Sequence, residues 1–166
     1  GFTNKQMAAR LAQTLDSFDE GLFLTLAHEY EGYLFPDTYH FFPGVTPDAV
    51  VTALRQTFDT KTKSIATELE HGVRTKKDVI IMASIIEKEA AGDDDRAMIS
   101  GILWKRLDQG FPLQVDAPFL YILGKESKDL TKTDLAINSP YNTYRYKGLP
   151  PTPIGNPGLA SIDAAL

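Results

Sequence analysis

Cysteine is absent from the 166-residue chain, which excludes disulfide bonds, thiolate metal sites and a cysteine nucleophile. Long apolar runs are missing as well. One of the longest, Val79 to Ala83, falls far short of the roughly 20 residues that span a bilayer, and no signal peptide is visible. Residues 1–166 therefore predict neither a thiol-dependent protein nor a membrane-spanning segment.

Positive charge is also in short supply, with 17 basic against 22 acidic residues and a formal net charge of −5. Nucleic-acid binding draws much of its free energy from basic side chains that displace phosphate counterions, so we expect no nucleic-acid partner. The three histidines have no metal-ligand spacing, and neither a glycine-rich phosphate loop nor a Gly-x-Ser-x-Gly elbow occurs. We therefore expect no metal and no organic cofactor.

What is present is the composition of an ordinary globular domain, with 43% hydrophobic and 23% charged residues in a length that supports one continuous core. Capping signals and apolar periodicity predict helices at the following positions. They run from Thr3 to about Leu15, from Pro47 to about Gly72, from Thr75 through the apolar run Val79 to Ile86, from the acidic turn Asp93 to Asp95 to Gly110, from Pro118 to Leu123, and from Asn156 onward. The fourth of these helices is expected to turn Met98, Ile102, Leu103 and Leu107 inward.

The segment from Ser139 to Gly158 holds five prolines, too many for regular structure. Irregular stretches of this length in a compact domain are more often functional loops than linkers. The aromatic segment from Glu31 to Gly44 is likewise expected to be extended. We therefore predict a single domain of the α+β class, predominantly helical, with long irregular loops that line a cleft.

Two glutamates, Glu87 and Glu89, lie two positions apart and so point to different sides of a helix. Counting 3.6 residues per turn places Glu89 on the apolar stripe, beside Met82 and Ile85. Apolar surroundings disfavour the charged form of a carboxyl and raise its pKa, which suits a general acid near neutral pH. The alternative is a solvated helix end, and the spacing alone does not decide between them.

Three further segments offer polar or aromatic groups, each with a structural alternative. Residues 31–39 form either a platform on which sugars stack or an aromatic mini-core. Gln114 and Asp116 either face a cleft or, for Asp116, cap a helix. The set at 141–144 either binds sugar hydroxyl and acetamido groups or forms a turn with two packed tyrosines. Its members are Tyr141, Asn142, Thr143 and Tyr144.

Together these segments resemble the endolytic murein transglycosylases, also called the YceG-like family. Four motifs in one order carry the resemblance: EGYLFPDTY at 31–39, ASIIEKE at 83–89, LQVD at 113–116, and YNTY at 141–144 followed by GLPP at 148–151. The chain departs from the pattern at Val115 and Ala117, where the family often has Thr and Pro. The resemblance implies that Glu89 is the catalytic acid. It also implies a set of substrate-binding residues, namely Gln114, Asp116, Tyr141, Asn142, Thr143 and Tyr144.

The resemblance further implies that residues 1–166 are the catalytic domain of a longer enzyme, truncated at both ends. Family members carry an N-terminal membrane helix and a small LysM-like domain that this sequence does not contain. The implied enzyme is a lyase that cleaves within peptidoglycan glycan strands, between N-acetylmuramic acid and N-acetylglucosamine, and leaves 1,6-anhydro ends. It would be anchored in the cytoplasmic membrane through the missing segment and face the cell wall. Its partners would be glycan strands and peptidoglycan synthases.

Two rival functions stay open on the sequence. One is a muramidase that hydrolyses the same bond, with Asp116 or Asp37 as its second carboxylate. The other is a noncatalytic peptidoglycan-binding module in which Glu89 is structural.

Overall fold

The computed structural model describes the backbone of residues 1–166 and all side chains except those of Asp93 and Asp94. Its regular elements are α1 (Asn4–Thr14), α2 (Glu20–Ala27), α3 (Pro47–Lys61), α4 (Ala66–His71), α5 (Lys76–Glu89), α6 (Asp93–Asp108), α7 (Ala117–Leu123), α8 (Lys132–Leu135) and α9 (Leu159–Ala165). Short 3-10 turns occur at His28–Tyr30, Lys63–Ile65 and Ser127–Asp129. The cap predicted at Asp93 and Asp94 falls on side chains outside the described set.

The α+β class is corrected to an all-helical single domain, because the described backbone of residues 1–166 contains no β-strand. The two extended segments, 31–44 and 139–158, carry prolines that lack a donor N–H. Their backbone groups bond instead to side chains and to turns of their own. None of the helices in this backbone is long and apolar enough to cross a membrane.

Helix α5 lies at the centre of the larger core. It begins as predicted at Thr75, whose hydroxyl accepts a hydrogen bond from the Asp78 amide at 3.1 Å. Every residue from Val79 to Ile86 is buried, so the helix is surrounded by other elements, chiefly α6, α7 and α9. Each fully buried aliphatic side chain contributes roughly 1.5–3 kcal/mol to the stability of the fold. Helix α5 is therefore a rigid support for the residues at its C-terminal end.

A second core cluster joins α1, α2 and α3, with Phe23, Val50 and Leu54 at its centre. The buried side chain of Asn156 ties this part to the proline-rich loop. Its Oδ1 accepts from the amides of Gly32 and Leu34, and its Nδ2 donates to the Phe2 carbonyl. Three distant segments of the chain therefore meet at one amide group.

Helix α3 is shorter than the sequence predicts, since it ends at Lys61 rather than near Gly72 and is followed by a 3-10 turn and α4. Threonines account for the break. Thr57, Thr60 and Thr62 each turn their hydroxyl back to the carbonyl four residues earlier, a contact that destabilises and bends helices. Helices α2 and α8 were not predicted at all. Asp19 caps the first of these, accepting from the Leu22 amide at 2.8 Å.

Candidate active site

Glu89 is the last residue of α5, and its Oε1 accepts a hydrogen bond of 3.1 Å from the amide of Ala117, the first residue of α7. The residue as a whole is exposed and lines a pocket of about 290 Å³, while its contact with the Ala117 amide is partly buried. Burial of the carboxyl and the nearby charge of Asp116 raise its pKa, against the lowering effect of the Ala117 amide. The shift has the direction expected for a general acid.

The pocket that holds Glu89 has an aliphatic wall and two further polar groups. Helix α6 and the segment after it supply the lining, which consists of Ile99, Ile102, Leu103, Arg106, Leu113, Gln114 and Val115. Met98 and Ile102, both predicted to face the core, are 66% and 53% exposed, which corrects that expectation. Ile102 lies on the outward side of α6 and forms part of the pocket rim.

Glu87 has a different environment, with only 20% of its side chain exposed. Its Oε2 accepts from the Ser161 hydroxyl at 2.6 Å and from the Gly158 amide at 3.2 Å. Burial raises the pKa of Glu87, and the hydrogen bonds from Ser161 and Gly158 lower it. The carboxylate therefore joins α5 to the start of α9 and is not suited to donate a proton.

The LQVD and YNTY motifs lie against each other beside Glu89. The Gln114 amide donates to the Thr143 carbonyl at 3.0 Å, and the Tyr144 hydroxyl donates to Asp116 Oδ1 at 2.7 Å. Asp116 precedes α7 but makes no side-chain capping bond, so its carboxylate serves Tyr144 instead. Burial and the bond to Asp116 raise the pKa of Tyr144 to about 12, which keeps this phenol a donor.

Asn142 and Thr143 are buried, and their side chains bond to backbone groups of neighbouring segments. Asn142 Nδ2 donates to the Leu135 and Ile137 carbonyls, at 2.9 and 2.8 Å. The Thr143 hydroxyl donates to the Val115 carbonyl at 2.7 Å. In this structure the two residues hold the YNTY loop in place, and their contact with a sugar stays a prediction.

Tyr141 faces a second pocket, of about 620 Å³, rather than the one that holds Glu89. Its hydroxyl lies 2.6 Å from Thr152 Oγ1, and its ring lies 5.3 Å from that of Tyr121. Glu31 lines the same pocket and accepts from the Asn4 amide at 3.1 Å. Burial raises the pKa of Glu31 to about 7, against the lowering effects of the Asn4 amide and the Lys88 charge. The oxygens of Glu31 are engaged in joining α1 to the EGYLFPDTY segment.

A third pocket, of about 740 Å³, lies along α1 and the end of the EGYLFPDTY segment. Its carboxylate, Asp37, is 2.8 Å from the Lys61 ammonium, and this bond lowers the pKa of Asp37. Phe35 is buried in the core, which supports the mini-core interpretation for that part of the segment. Asp37 does not line the Glu89 pocket and is excluded as a second carboxylate there.

Arg106 is a pocket residue that the sequence analysis missed. Its guanidinium donates to the Pro112 carbonyl at 2.9 Å and to Gln114 Oε1. A signal was available, because Ile99, Leu103 and Arg106 follow the spacing of one helix face. Among the described side chains, no group of three or more His, Cys, Asp or Glu residues is arranged to hold a metal ion.

The chain belongs to the YceG-like family, whose sequence model matches residues 1–166. It is similar to the endolytic murein transglycosylase of Bacillus subtilis, with 37% identity over 142 residues, which are 85% of this chain and 39% of that protein. The endolytic murein transglycosylase of Streptococcus pneumoniae is 31% identical over 144 residues, 84% of this chain and 26% of that protein. The chain thus spans well under half the length of these curated relatives.

The fold is shared with a YceG-like protein of Listeria monocytogenes, known from a 2.6 Å crystal structure. The TM-score is 0.87 at 31% sequence identity, and the match covers 99% of this chain and 63% of that one.

Proposed function

We propose that residues 1–166 form the catalytic domain of an endolytic peptidoglycan lytic transglycosylase, a carbon–oxygen lyase, with Glu89 as its catalytic acid. The observation that carries the proposal is a carboxyl of raised pKa, fixed by a backbone amide at the end of a helix whose residues 79–86 are buried, and exposed to a pocket. Family membership and the printed names of the two relatives support it.

In the proposed reaction, protonated Glu89 donates its proton to the oxygen that bridges N-acetylmuramic acid and N-acetylglucosamine. The bond between that oxygen and the muramyl anomeric carbon breaks, and N-acetylglucosamine leaves with a free hydroxyl. The muramyl 6-hydroxyl then bonds to the anomeric carbon and passes its proton to the Glu89 carboxylate. The product is a 1,6-anhydro ring, no water is consumed, and the acid is regenerated.

One carboxylate suffices in this scheme because the nucleophile belongs to the substrate. An intramolecular hydroxyl gains from proximity, which contributes up to roughly 7–11 kcal/mol in well-oriented reactions. The Ala117 amide fixes the direction of the Glu89 carboxyl, and the charge of Asp116 favours its protonated form. Tyr144 holds Asp116 in position through its hydroxyl. We propose that the segments from Gln114 to Asp116 and around Tyr144 line the cleft that the strand occupies.

A hydrolytic muramidase is the second candidate, favoured by the proximity of Asp116 to Glu89. Hydrolysis needs a second carboxylate to activate water or to form a covalent intermediate. Asp116 Oδ1 is already bound by the Tyr144 hydroxyl, which makes it a weaker candidate for either task.

The cellular setting is part of the same proposal. A peptidoglycan substrate places the enzyme on the outer side of the cytoplasmic membrane. Anchoring by a membrane helix outside residues 1–166, and contact with peptidoglycan synthases, would be tested by fractionation and cross-linking of the full-length protein in cells.

Digestion of purified peptidoglycan, followed by mass analysis of the muropeptides, tests the reaction type. The transglycosylase predicts products with 1,6-anhydro ends, each lighter by one water than a hydrolysed product. Hydrolysed ends would select the muramidase, and the absence of any cleavage by folded protein would favour a binding module.

A further inference from the structure

Arg106 presents an oriented positive charge to the Glu89 pocket. Its Nε donates to the Pro112 carbonyl and its Nη2 to the side-chain carbonyl of Gln114, which fixes the guanidinium and leaves the N–H groups of Nη1 outside these two bonds. Arg106 forms no salt bridge with any carboxylate among the described side chains, and the pocket that it shares with Glu89 has a volume of about 290 Å³. The cation and the acid therefore line one pocket that has room for a substrate group.

Gln114 strengthens this arrangement through its backbone. Its φ of +57° lies in the left-handed region, which costs a non-glycine residue of the order of 1 kcal/mol or more. The bond from its amide to the Thr143 carbonyl holds this conformation, so the side chain points to Arg106. Strained backbone of this kind persists where the surroundings fix it, and it is common at binding sites.

The chemistry at Glu89 does not explain which of the two kinds of glycosidic bond in the proposed substrate is cut. A glycan strand alternates two sugars, and both have a 6-hydroxyl and a 2-acetamido group. N-acetylmuramic acid differs from N-acetylglucosamine only by its 3-O-lactyl group, which ends in a carboxyl. An enzyme that cuts only after the muramyl residue must recognise that group or the peptide stem attached to it. An arginine fork is well matched to a carboxylate.

We propose that Arg106 is the residue that selects the muramyl bond, by binding the lactyl carboxyl group of the sugar that reacts. The inference rests on the proposed function. The guanidinium binds the free carboxylate through two N–H groups, and binds the carbonyl oxygen through one where a peptide stem converts the carboxyl to an amide. The aliphatic wall around Ile102 and Leu113 receives the lactyl methyl group.

Binding to an inactive protein tests this proposal. Two tetrasaccharides of equal length are compared by calorimetry with Glu89→Gln: chitotetraose, and two N-acetylglucosamine–N-acetylmuramic acid repeats without peptide. Charge-assisted hydrogen bonds are worth about tenfold to a hundredfold in affinity, so the muramyl ligand should bind at least about tenfold more tightly. Adding Arg106→Gln should remove this preference and leave chitotetraose binding within about twofold.

Lys105→Gln is the matched control, because it removes the same charge from the adjacent, exposed position of α6. It should leave the preference intact. Arg106→Lys keeps the charge but loses the fork, and we expect it to recover part of the preference. Thermal melting of each variant establishes that the fold is kept.

Three results would overturn the inference: an unchanged preference in Arg106→Gln, an equal loss for both sugars, or an equal loss in Lys105→Gln. A third ligand, the same tetrasaccharide with peptide stems, should show a smaller effect of Arg106→Gln. A larger effect there would place the recognised anion on the stem and exclude the lactyl group. The proposed function fails separately, if wild-type protein releases no 1,6-anhydro product.

Discussion

Burial of the Glu31 carboxyl predicts how the free energy of unfolding depends on pH. Its carboxyl is largely buried between α1 and the EGYLFPDTY segment, where it accepts hydrogen bonds from the Asn4 amide and the Asn156 side chain. Burial raises its pKa from the ordinary 4.5 to about 7. In the folded protein the group thus binds its proton more tightly than in the unfolded chain.

The sign of the effect follows from this difference. Between pH 4.5 and about 7 the folded state holds a proton that the unfolded state has lost, so the free energy of unfolding falls as the pH rises. A difference of about 2.5 in pKa corresponds to about 3 kcal/mol at 1.36 kcal/mol per unit. Above pH 7 the protein bears this cost in full.

Glu31→Gln removes the titration and keeps a group of similar shape. We expect the variant to match wild type near pH 4.5 and to be more stable at pH 8, by up to about 3 kcal/mol. Urea unfolding followed by circular dichroism at several pH values measures both free energies. Glu29→Gln is the control, because Glu29 is exposed two residues away.

A constant difference between wild type and Glu31→Gln from pH 4.5 to 8 would refute this reasoning. It would mean that Glu31 is charged throughout that range, and that its hydrogen bonds outweigh burial.

Two further predictions concern single groups at and beside the site. Asp116→Asn removes a charge that raises the pKa of Glu89, so the alkaline limb of the pH–rate profile should move to lower pH. An unmoved limb would show that Asp116 does not raise the pKa of the acid. Gly32→Ala places a Cβ 2.5 Å from Pro153 Cγ at a φ of +91°. We expect the free energy of unfolding in urea to fall by more than about 2 kcal/mol. A fall of less than about 1 kcal/mol would mean that the loop around Pro153 moves to make room.

The parts of the fold that the sequence predicts are those set by local interactions. The capping box at Thr3 and the cap at Thr75 need only residues three positions away, and both are confirmed. The prediction for α3 was wrong because periodicity does not reveal which threonine hydroxyls turn back to the helix carbonyls. The missing strands have a related cause, since extended chain pairs into a sheet only if a partner lies beside it.

The candidate site shows the same limit at the level of side chains. The stripe argument placed Glu89 and Glu87 on different sides of α5, and in the structure Glu89 lines a pocket whereas Glu87 is bound by Ser161 and Gly158. The sequence does not tell which polar residues of the YNTY motif are free to bind a ligand. In the structure the Asn142 side chain donates to a backbone carbonyl, whereas the Tyr144 hydroxyl donates to Asp116. Which polar group is already satisfied depends on contacts between distant segments.

The central claim is that Glu89 is the catalytic acid. Its most direct test compares Glu89→Gln with Glu87→Gln. Gln cannot donate a carboxylic proton, and proton transfer of this kind commonly contributes about 10²- to 10⁴-fold to the rate. Glu87→Gln instead weakens bonds to Ser161 and Gly158, which should cost roughly 1–2 kcal/mol of stability.

The measurement is the release of 1,6-anhydro muropeptides from peptidoglycan by wild type and both variants, with a thermal melt of each. We predict that folded Glu89→Gln releases at least about a hundredfold less product, and that Glu87→Gln melts at a lower temperature yet stays active. Full activity in folded Glu89→Gln, or loss of activity only in Glu87→Gln while it remains folded, would contradict the assignment of Glu89 as the acid.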